Sequence, residues 1–340
     1  MTNPAPAPAR RPRALLAFRA ETEPWILTPE TRSRLAALVD VVVTLREGED
    51  WRPQAAHLRT VEVVIGNWGV PRFTAELLAA MPALRCVCYA AGSVRAFVTP
   101  EFWARGIQLS TAAAANARPT ATFAEAMIIL SLKQTWFYLR ERRADWAYLS
   151  DTAASGVHRA IVGLIGLSRV GRAVARGLQR HDLTILAHDP TVGPADAAQL
   201  GVELVPLPEL FFRSDVVSLH APLLPETAGL VTGDLLRRLR AHRTFVNTAR
   251  GALVREAELV EVLRARPDLT AVLDVTDPEP APADSPLRQL PNVVLTPHLA
   301  GARHRELELL MHAALDELAR YAHGEPLQFP LTAATAANHA

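Results

Sequence analysis

Cysteine and lysine are almost missing from this chain of 340 residues. The two cysteines, Cys86 and Cys88, are too few for a disulfide framework or a four-thiolate zinc site, and their alternation suggests one face of a strand, as core residues. A reducing cytoplasm is the expected compartment. Lys133 is the single lysine among 36 basic residues, which argues against a Walker A phosphate loop and against most Schiff-base chemistry. An excess of charge is missing too: 36 basic against 35 acidic residues leave +1, so nucleic acid is not expected as a partner. No apolar run approaches the ~18 residues of a membrane span, and the run Ala14 to Phe18 is shorter than the ~7 to 15 residues of a signal-peptide core. A soluble protein with neither an export signal nor a membrane partner is expected. With no metal called for, chemistry is left to Arg, His and carboxylates.

What is present is 49% hydrophobic sequence, long enough for two domains at roughly 150 residues each. Short β-branched runs alternate with helix-compatible segments. Val39 to Thr44, Val61 to Ile65, Leu84 to Tyr89 and Ile107 to Ser110 read as strands, with a helix over Arg72 to Ala80. A second series follows at Ala160 to Ile165, Leu183 to Ala187, Val202 to Val205, Asp215 to Leu219, Thr244 to Asn247, Ala271 to Val275 and Val293 to Leu295. Alternation of this kind predicts an α/β fold of two doubly wound parallel sheets. Thr120 to Arg143 and Arg303 to His323 read as helices crossing between the domains. The boundaries are then 13–116 plus 300–330 for one domain and 117–299 for the other, with frayed tails at 1–12 and 331–340.

After the strand ending at Ile165 comes Gly166-Leu167-Ser168-Arg169-Val170-Gly171, a G-x-S-x-x-G turn opening a helix. Gly166 permits the tight turn, Gly171 permits close helix packing, and amides at the helix start can receive a pyrophosphate. Ser168 crowds the backbone approach to phosphate, but its hydroxyl can itself donate. Asp189 lies eighteen residues beyond Gly171 at the end of the next strand, where a carboxylate accepts ribose hydroxyls and repels a 2′-phosphate. NAD is favoured over NADP. The alternative is a tight strand-to-helix turn with an incidental surface Asp.

Three stretches at strand ends then carry unusual polar residues: Asn247 to Gly251, Leu273 to Val275 with Glu279-Pro280 beyond, and Thr296 to His298 with Gly301 after it. An Arg fork suits a carboxylate, and a His suits reversible proton transfer. A carboxylate beside the His would hold its orientation. Singly, Arg250 also reads as a helix-terminal ion pair, Glu279 as a solvated loop charge and His298 as a capping histidine.

The segments Gly163 to Gly171, DVVSLHAPLLPET (Asp215 to Thr227), NTARGALVRE (Asn247 to Glu256), LDVTDPEP (Leu273 to Pro280) and PNVVLTPHLAG (Pro291 to Gly301) resemble the D-isomer-specific 2-hydroxyacid dehydrogenases. The resemblance implies a Rossmann NAD-binding domain, a flavodoxin-like substrate domain and a homodimer that interconverts a small 2-oxo acid and its D-2-hydroxy acid. It implies that Arg250 binds the 2-oxo acid, His298 is the acid/base and Glu279 supports it. Arg169 and Val170 would lie at the pyrophosphate, and His220, Pro222 and Thr227 would line the cofactor cleft. Thr248 and Ala249 would contact the cofactor, and Asp274 would face the nicotinamide, with Gly301 close by. Gly92, Ser93 and Val94 stand where the family offers amides to the substrate carboxylate. Arg95 is a candidate for added charge toward a phosphorylated or dicarboxylic substrate, and Trp68 for a cleft wall; a solvated Arg and a packed Trp are the alternatives. The rival functions are a formate or phosphite dehydrogenase on the same fold, and an NAD-sensing protein like the corepressors that resemble this family.

Overall fold

The structure is a computed structural model that describes residues 11–141 and 156–336. Residues 1–10 and 337–340 of the expected tails, and Arg142 and Arg143 at the end of an expected helix, lie outside the described residues. The chain divides into two compact units, residues 11–116 with 302–336, and residues 117–301 without the stretch left undescribed.

The first unit is built on five parallel strands: β1 (Arg13–Phe18), β2 (Asp40–Arg46), β3 (Val63–Gly66), β4 (Cys86–Tyr89) and β5 (Gln108–Thr111), in spatial order β2-β1-β3-β4-β5. This is the flavodoxin-like order. Sequence reading placed no strand at β1. Its run Ala14 to Phe18 is apolar without alternation, as a strand covered on both faces requires, and it pairs with β2 on one side and β3 on the other. At the edge, β2 does alternate, with Val43 and Leu45 buried and Thr44 and Arg46 exposed. Cys86 and Cys88 lie fully buried on one face of β4, their sulfurs 3.8 Å apart, in the core that the helix Leu307–Ala322 completes. That helix buries Leu307, Leu310, Met311, Ala314, Leu315 and Leu318, one stripe at helical spacing.

Beyond this helix the chain departs from the expected frayed tail. Leu331 is buried and donates its N–H to the Leu109 carbonyl at 2.7 Å, while Pro330 bridges Ser110, so the segment covers the open edge of β5. The helix expected from Thr120 starts earlier, spanning Ala113–Leu132 with Pro119 inside it, and stops where Gln134 takes φ 56° before a second helix, Thr135–Glu141. Pro119 has no N–H to donate, so the helix runs through it with one intrahelical hydrogen bond missing.

The second unit holds seven parallel strands: β6 (Ala160–Ile165), β7 (Leu183–His188), β8 (Glu203–Leu204), β9 (Val216–Leu219), β10 (Thr244–Asn247), β11 (Thr270–Leu273) and β12 (Val293–Leu295). Their order is β12-β11-β10-β9-β6-β7-β8, the Rossmann arrangement, with the direction of winding reversing between β6 and β9. The expected strand Val202 to Val205 is reduced to two residues at the β8 edge. Ligands of such sheets bind outside the carboxyl ends of the strands at the reversal, and every motif singled out in this unit falls at those ends. Among the described residues no helix is long and apolar enough to cross a membrane.

Candidate active site

The turn after β6 is shaped by what Gly166 lacks. Its φ is +91°, and a Cβ there would stand 2.6 Å from the backbone nitrogen of Ala221, so the turn lies directly against the end of β9. Ser168 caps the helix Arg169–Leu178, and its hydroxyl accepts the Gly171 N–H at 3.5 Å and donates to the His220 carbonyl at 2.8 Å. The single Ser168 proton goes to the His220 carbonyl, so the side chain tethers the turn to β9. Arg169 and Val170 open the helix, where backbone amides have no partner within the helix. Asp189, at the end of β7, reaches back to the turn: its Oδ2 accepts the Leu167 N–H at 2.7 Å and its Oδ1 accepts the N–H and hydroxyl of Thr191 at 2.9 and 2.6 Å. Partial burial pushes this carboxyl up, but the bonds from Thr191 and Leu167, with Arg172 nearby, outweigh it and hold it below its ordinary value.

Across the reversal, His220 is 4% exposed, with Nε2 3.0 Å from the Ser218 hydroxyl. Burial alone lowers its pKa to about 4, so the ring is neutral. Thr227 folds the following loop by donating to the Pro222 carbonyl at 2.6 Å and accepting the Leu224 N–H at 2.8 Å. Two buried polar atoms here, His220 Nδ1 and Thr248 Oγ1, have no hydrogen-bond partner among the described residues. Buried polar atoms are seldom left so. Together with the glycine-shaped turn and the Asp189 carboxylate, they fit a polar dinucleotide laid over the strand ends.

At β10, the Asn247 side chain builds the next turn, accepting the Ala249 N–H and donating to the Arg250 carbonyl, both at 2.9 Å. Arg250 itself donates to the Ala249 carbonyl at 2.6 Å. A Cβ on Gly251 would overlap the backbone of Thr276, so the Arg250 turn packs directly on the loop that leads to Glu279. That loop is fixed by the Thr276 hydroxyl, which donates to the Pro278 carbonyl at 2.8 Å, and by Glu256, which accepts the Asp277 N–H at 2.9 Å. The Glu279 carboxylate is hydrogen-bonded to Nδ1 of His298, and both residues are exposed.

The carboxylate of Asp274, the residue expected on the nicotinamide side, is hydrogen-bonded within its own unit. Oδ1 accepts from the Thr296 hydroxyl at 2.6 Å and the Leu299 N–H at 2.8 Å, Oδ2 accepts the Ala300 N–H at 2.9 Å, and the residue is 1% exposed. Asp274 thus shapes the loop that bears His298 and runs on to Gly301. The ends of β10, β11 and β12, three adjacent strands, therefore carry Arg250, Glu279 and His298 to one edge of one sheet.

In the first unit, Gly92, Ser93 and Val94 follow β4. Val94 is buried and its carbonyl accepts the N–H groups of Phe97 and Val98, which anchors the turn, while a Cβ on Gly92 would meet nothing within 4 Å. Arg95 is exposed, and Trp68 is 40% exposed instead of packed. Sequence reasoning missed Thr191, although Asp-Pro-Thr carries the signal of a turn in which an Asp side chain accepts the amide two residues on.

Residues 126–300 match the family described as D-isomer specific 2-hydroxyacid dehydrogenase, NAD binding domain. The chain belongs to that family, and NAD is its cofactor. It is 36% identical over 228 residues to D-3-phosphoglycerate dehydrogenase of Mycobacterium leprae (strain TN), a match that covers 67% of this chain and 43% of that one. The chain thus spans less than half the length of this relative. It is 33% identical over 255 residues to glyoxylate reductase of Korarchaeum cryptofilum (strain OPF8), covering 74% of this chain and 77% of that one. Among solved structures, the TT0316 protein from Thermus thermophilus matches with a TM-score of 0.73 and 28% identity, over 94% of this chain and 100% of the other.

Proposed function

We propose that the protein interconverts a small 2-oxo acid and its D-2-hydroxy acid, with Arg250, Glu279 and His298 as the working side chains. The observation that carries this reading is the hydrogen bond between Glu279 and Nδ1 of His298 at the strand ends of an NAD-binding sheet. Glu279 fixes the tautomer and the plane of the ring, so the moving proton is held at Nε2. Bound NADH supplies a hydride to the carbonyl carbon. His298 gives its Nε2 proton to the carbonyl oxygen, and in the oxidative direction takes it from the hydroxyl. Arg250 holds the substrate carboxylate with its planar fork and offsets charge developing on the oxygen. The cofactor would rest on the Gly166 to Gly171 turn, with Asp189 at the adenosine ribose and the orphaned His220 and Thr248 atoms as further polar partners. Glu279 supports a 2-oxo acid over formate, because the formate-acting proteins of the family that this chain resembles carry Gln beside the His. Family membership supports extending the proposal to a homodimer, and the scarcity of cysteine to a cytoplasmic enzyme.

The test is NADH oxidation, followed by absorbance, on a panel of glyoxylate, hydroxypyruvate, pyruvate and bulkier branched or aromatic 2-oxo acids. Turnover on one or more members, with a D-configured product, is expected. A protein that binds NADH tightly yet oxidises it with none of them is a sensor or binding module, and the proposal fails.

A further inference from the structure

Asp189 has less free capacity than a diol-binding carboxylate needs. A carboxylate offers about four lone-pair sites. Both sites on Oδ1 are taken by Thr191, through its N–H at 2.9 Å and its hydroxyl at 2.6 Å, and one on Oδ2 is taken by the Leu167 N–H at 2.7 Å. One acceptor site remains, on Oδ2, and a ribose presents two hydroxyls. The Thr191 hydroxyl supplies what is missing. Its only proton points to Asp189, so its lone pairs are its remaining function, and Thr191 is exposed while Val192 behind it is buried, which leaves the hydroxyl on the accessible side of the turn.

We infer that Thr191 is a specificity-determining residue for the cofactor: it forms with Asp189 a two-residue acceptor for the adenosine ribose diol, Asp189 Oδ2 receiving one hydroxyl and Thr191 Oγ1 the other. The same pinned proton makes the pair discriminate. A hydroxyl can donate to Thr191, whereas a 2′-phosphate brings only acceptor oxygens and negative charge to a group that has no proton to give and to a carboxylate beside it. The low pKa of Asp189 keeps that carboxylate charged across the physiological range. The inference rests on NAD binding at the Gly166 to Gly171 turn and does not depend on which acid is reduced.

The experiment is equilibrium binding of NADH and NADPH, read by nicotinamide fluorescence without substrate, for the whole unmodified chain, Thr191→Val and Thr191→Ser. The unmodified protein is expected to prefer NADH. Thr191→Val, which keeps the shape and removes the hydroxyl, should weaken NADH by about 2- to 5-fold, less than a full hydrogen bond because it also frees the Oδ1 site that the hydroxyl held, and leave NADPH within about twofold. Thr191→Ser should restore NADH binding. Equal weakening of both nucleotides, an unchanged NADH affinity in Thr191→Val, or a serine variant as weak as the valine one would each overturn the assignment. If the unmodified protein binds neither nucleotide, the cofactor site itself is misplaced and the inference falls with it; absence of turnover with intact NADH binding touches only the proposed reaction.

Discussion

The backbone carbonyl of Asp274 accepts the His298 N–H at 2.9 Å, and the Asp274 carboxylate accepts the next two amides, Leu299 at 2.8 Å and Ala300 at 2.9 Å. One buried residue at the end of β11 thus holds three consecutive amides of the loop after β12. His298 sits in this loop with φ 51°, a conformation a non-glycine residue keeps only where its surroundings impose it.

Asp274→Asn tests that hold. An amide has one acceptor oxygen and a donor NH2, so in either orientation one of the Leu299 and Ala300 amides faces a donor. The variant is expected to lose about 2 to 3 kcal/mol of stability, the cost of a charged hydrogen bond broken inside the protein, and to drop kcat at least ~10-fold as His298 loses its placing. Urea unfolding and steady-state kinetics check both. A variant of native stability and full kcat would show that the loop is held by other means.

Arg250→Lys keeps the charge and removes the planar fork. If Arg250 grips the substrate carboxylate, kcat/KM on the best acid of the panel should fall by roughly 2 to 4 kcal/mol of transition-state stabilisation. Unchanged kinetics would make Arg250 a structural residue of the Asn247 turn.

Sequence made much of this site legible, and left part of it to the fold. Arg250, Glu279 and His298 stood out because each follows a short apolar strand, and a parallel sheet gathers such strand ends whatever their separation in the chain. The structural roles of Asp274 and Ser168 were not legible, for a shared reason. Their residue types suit a ligand, and only the fold reveals that amides 25 and 26 residues on, and a carbonyl 52 residues on, already use those side chains. β1 was missed because its run Ala14 to Phe18 holds no β-branched residue, the mark by which the other buried strands were read, and Leu331 because a single residue covering a sheet edge leaves no period. Thr191 was passed over because a turn threonine looks ordinary until its proton is located.

His298→Ala removes the proton donor without touching the dinucleotide turn. kcat should fall by roughly 10²- to 10⁴-fold with NADH affinity nearly intact. Glu279→Gln, which keeps a hydrogen-bonding group at Nδ1 but loses the charge, should fall between the parent and His298→Ala. Full activity in His298→Ala would place the acid/base elsewhere, and a Glu279→Gln variant as fast as the parent would reduce that pair to a surface contact.

His220 ties stability to pH. Its folded pKa is lowered to about 4 by burial, whereas the same ring in the unfolded chain titrates near ~6.5. Above ~6.5 neither state carries the proton, and the neutral ring contributes its full share to stability. As pH falls from ~6.5 toward 4 the unfolded chain takes up a proton the folded one refuses, so stability drops across that window and levels off below it. The gap of roughly 2.5 pK units corresponds to about 3 kcal/mol. His220→Gln keeps a polar group opposite the Ser218 hydroxyl and removes the titration. Urea unfolding at pH 7.5 and pH 4.5 should show the unmodified protein losing about 2 to 3 kcal/mol more than the variant, with carboxylate titrations common to both cancelling in the difference. Equal losses in the two proteins would mean that His220 is protonated in the folded state, and its place as a buried neutral group at the end of β9 would have to be given up.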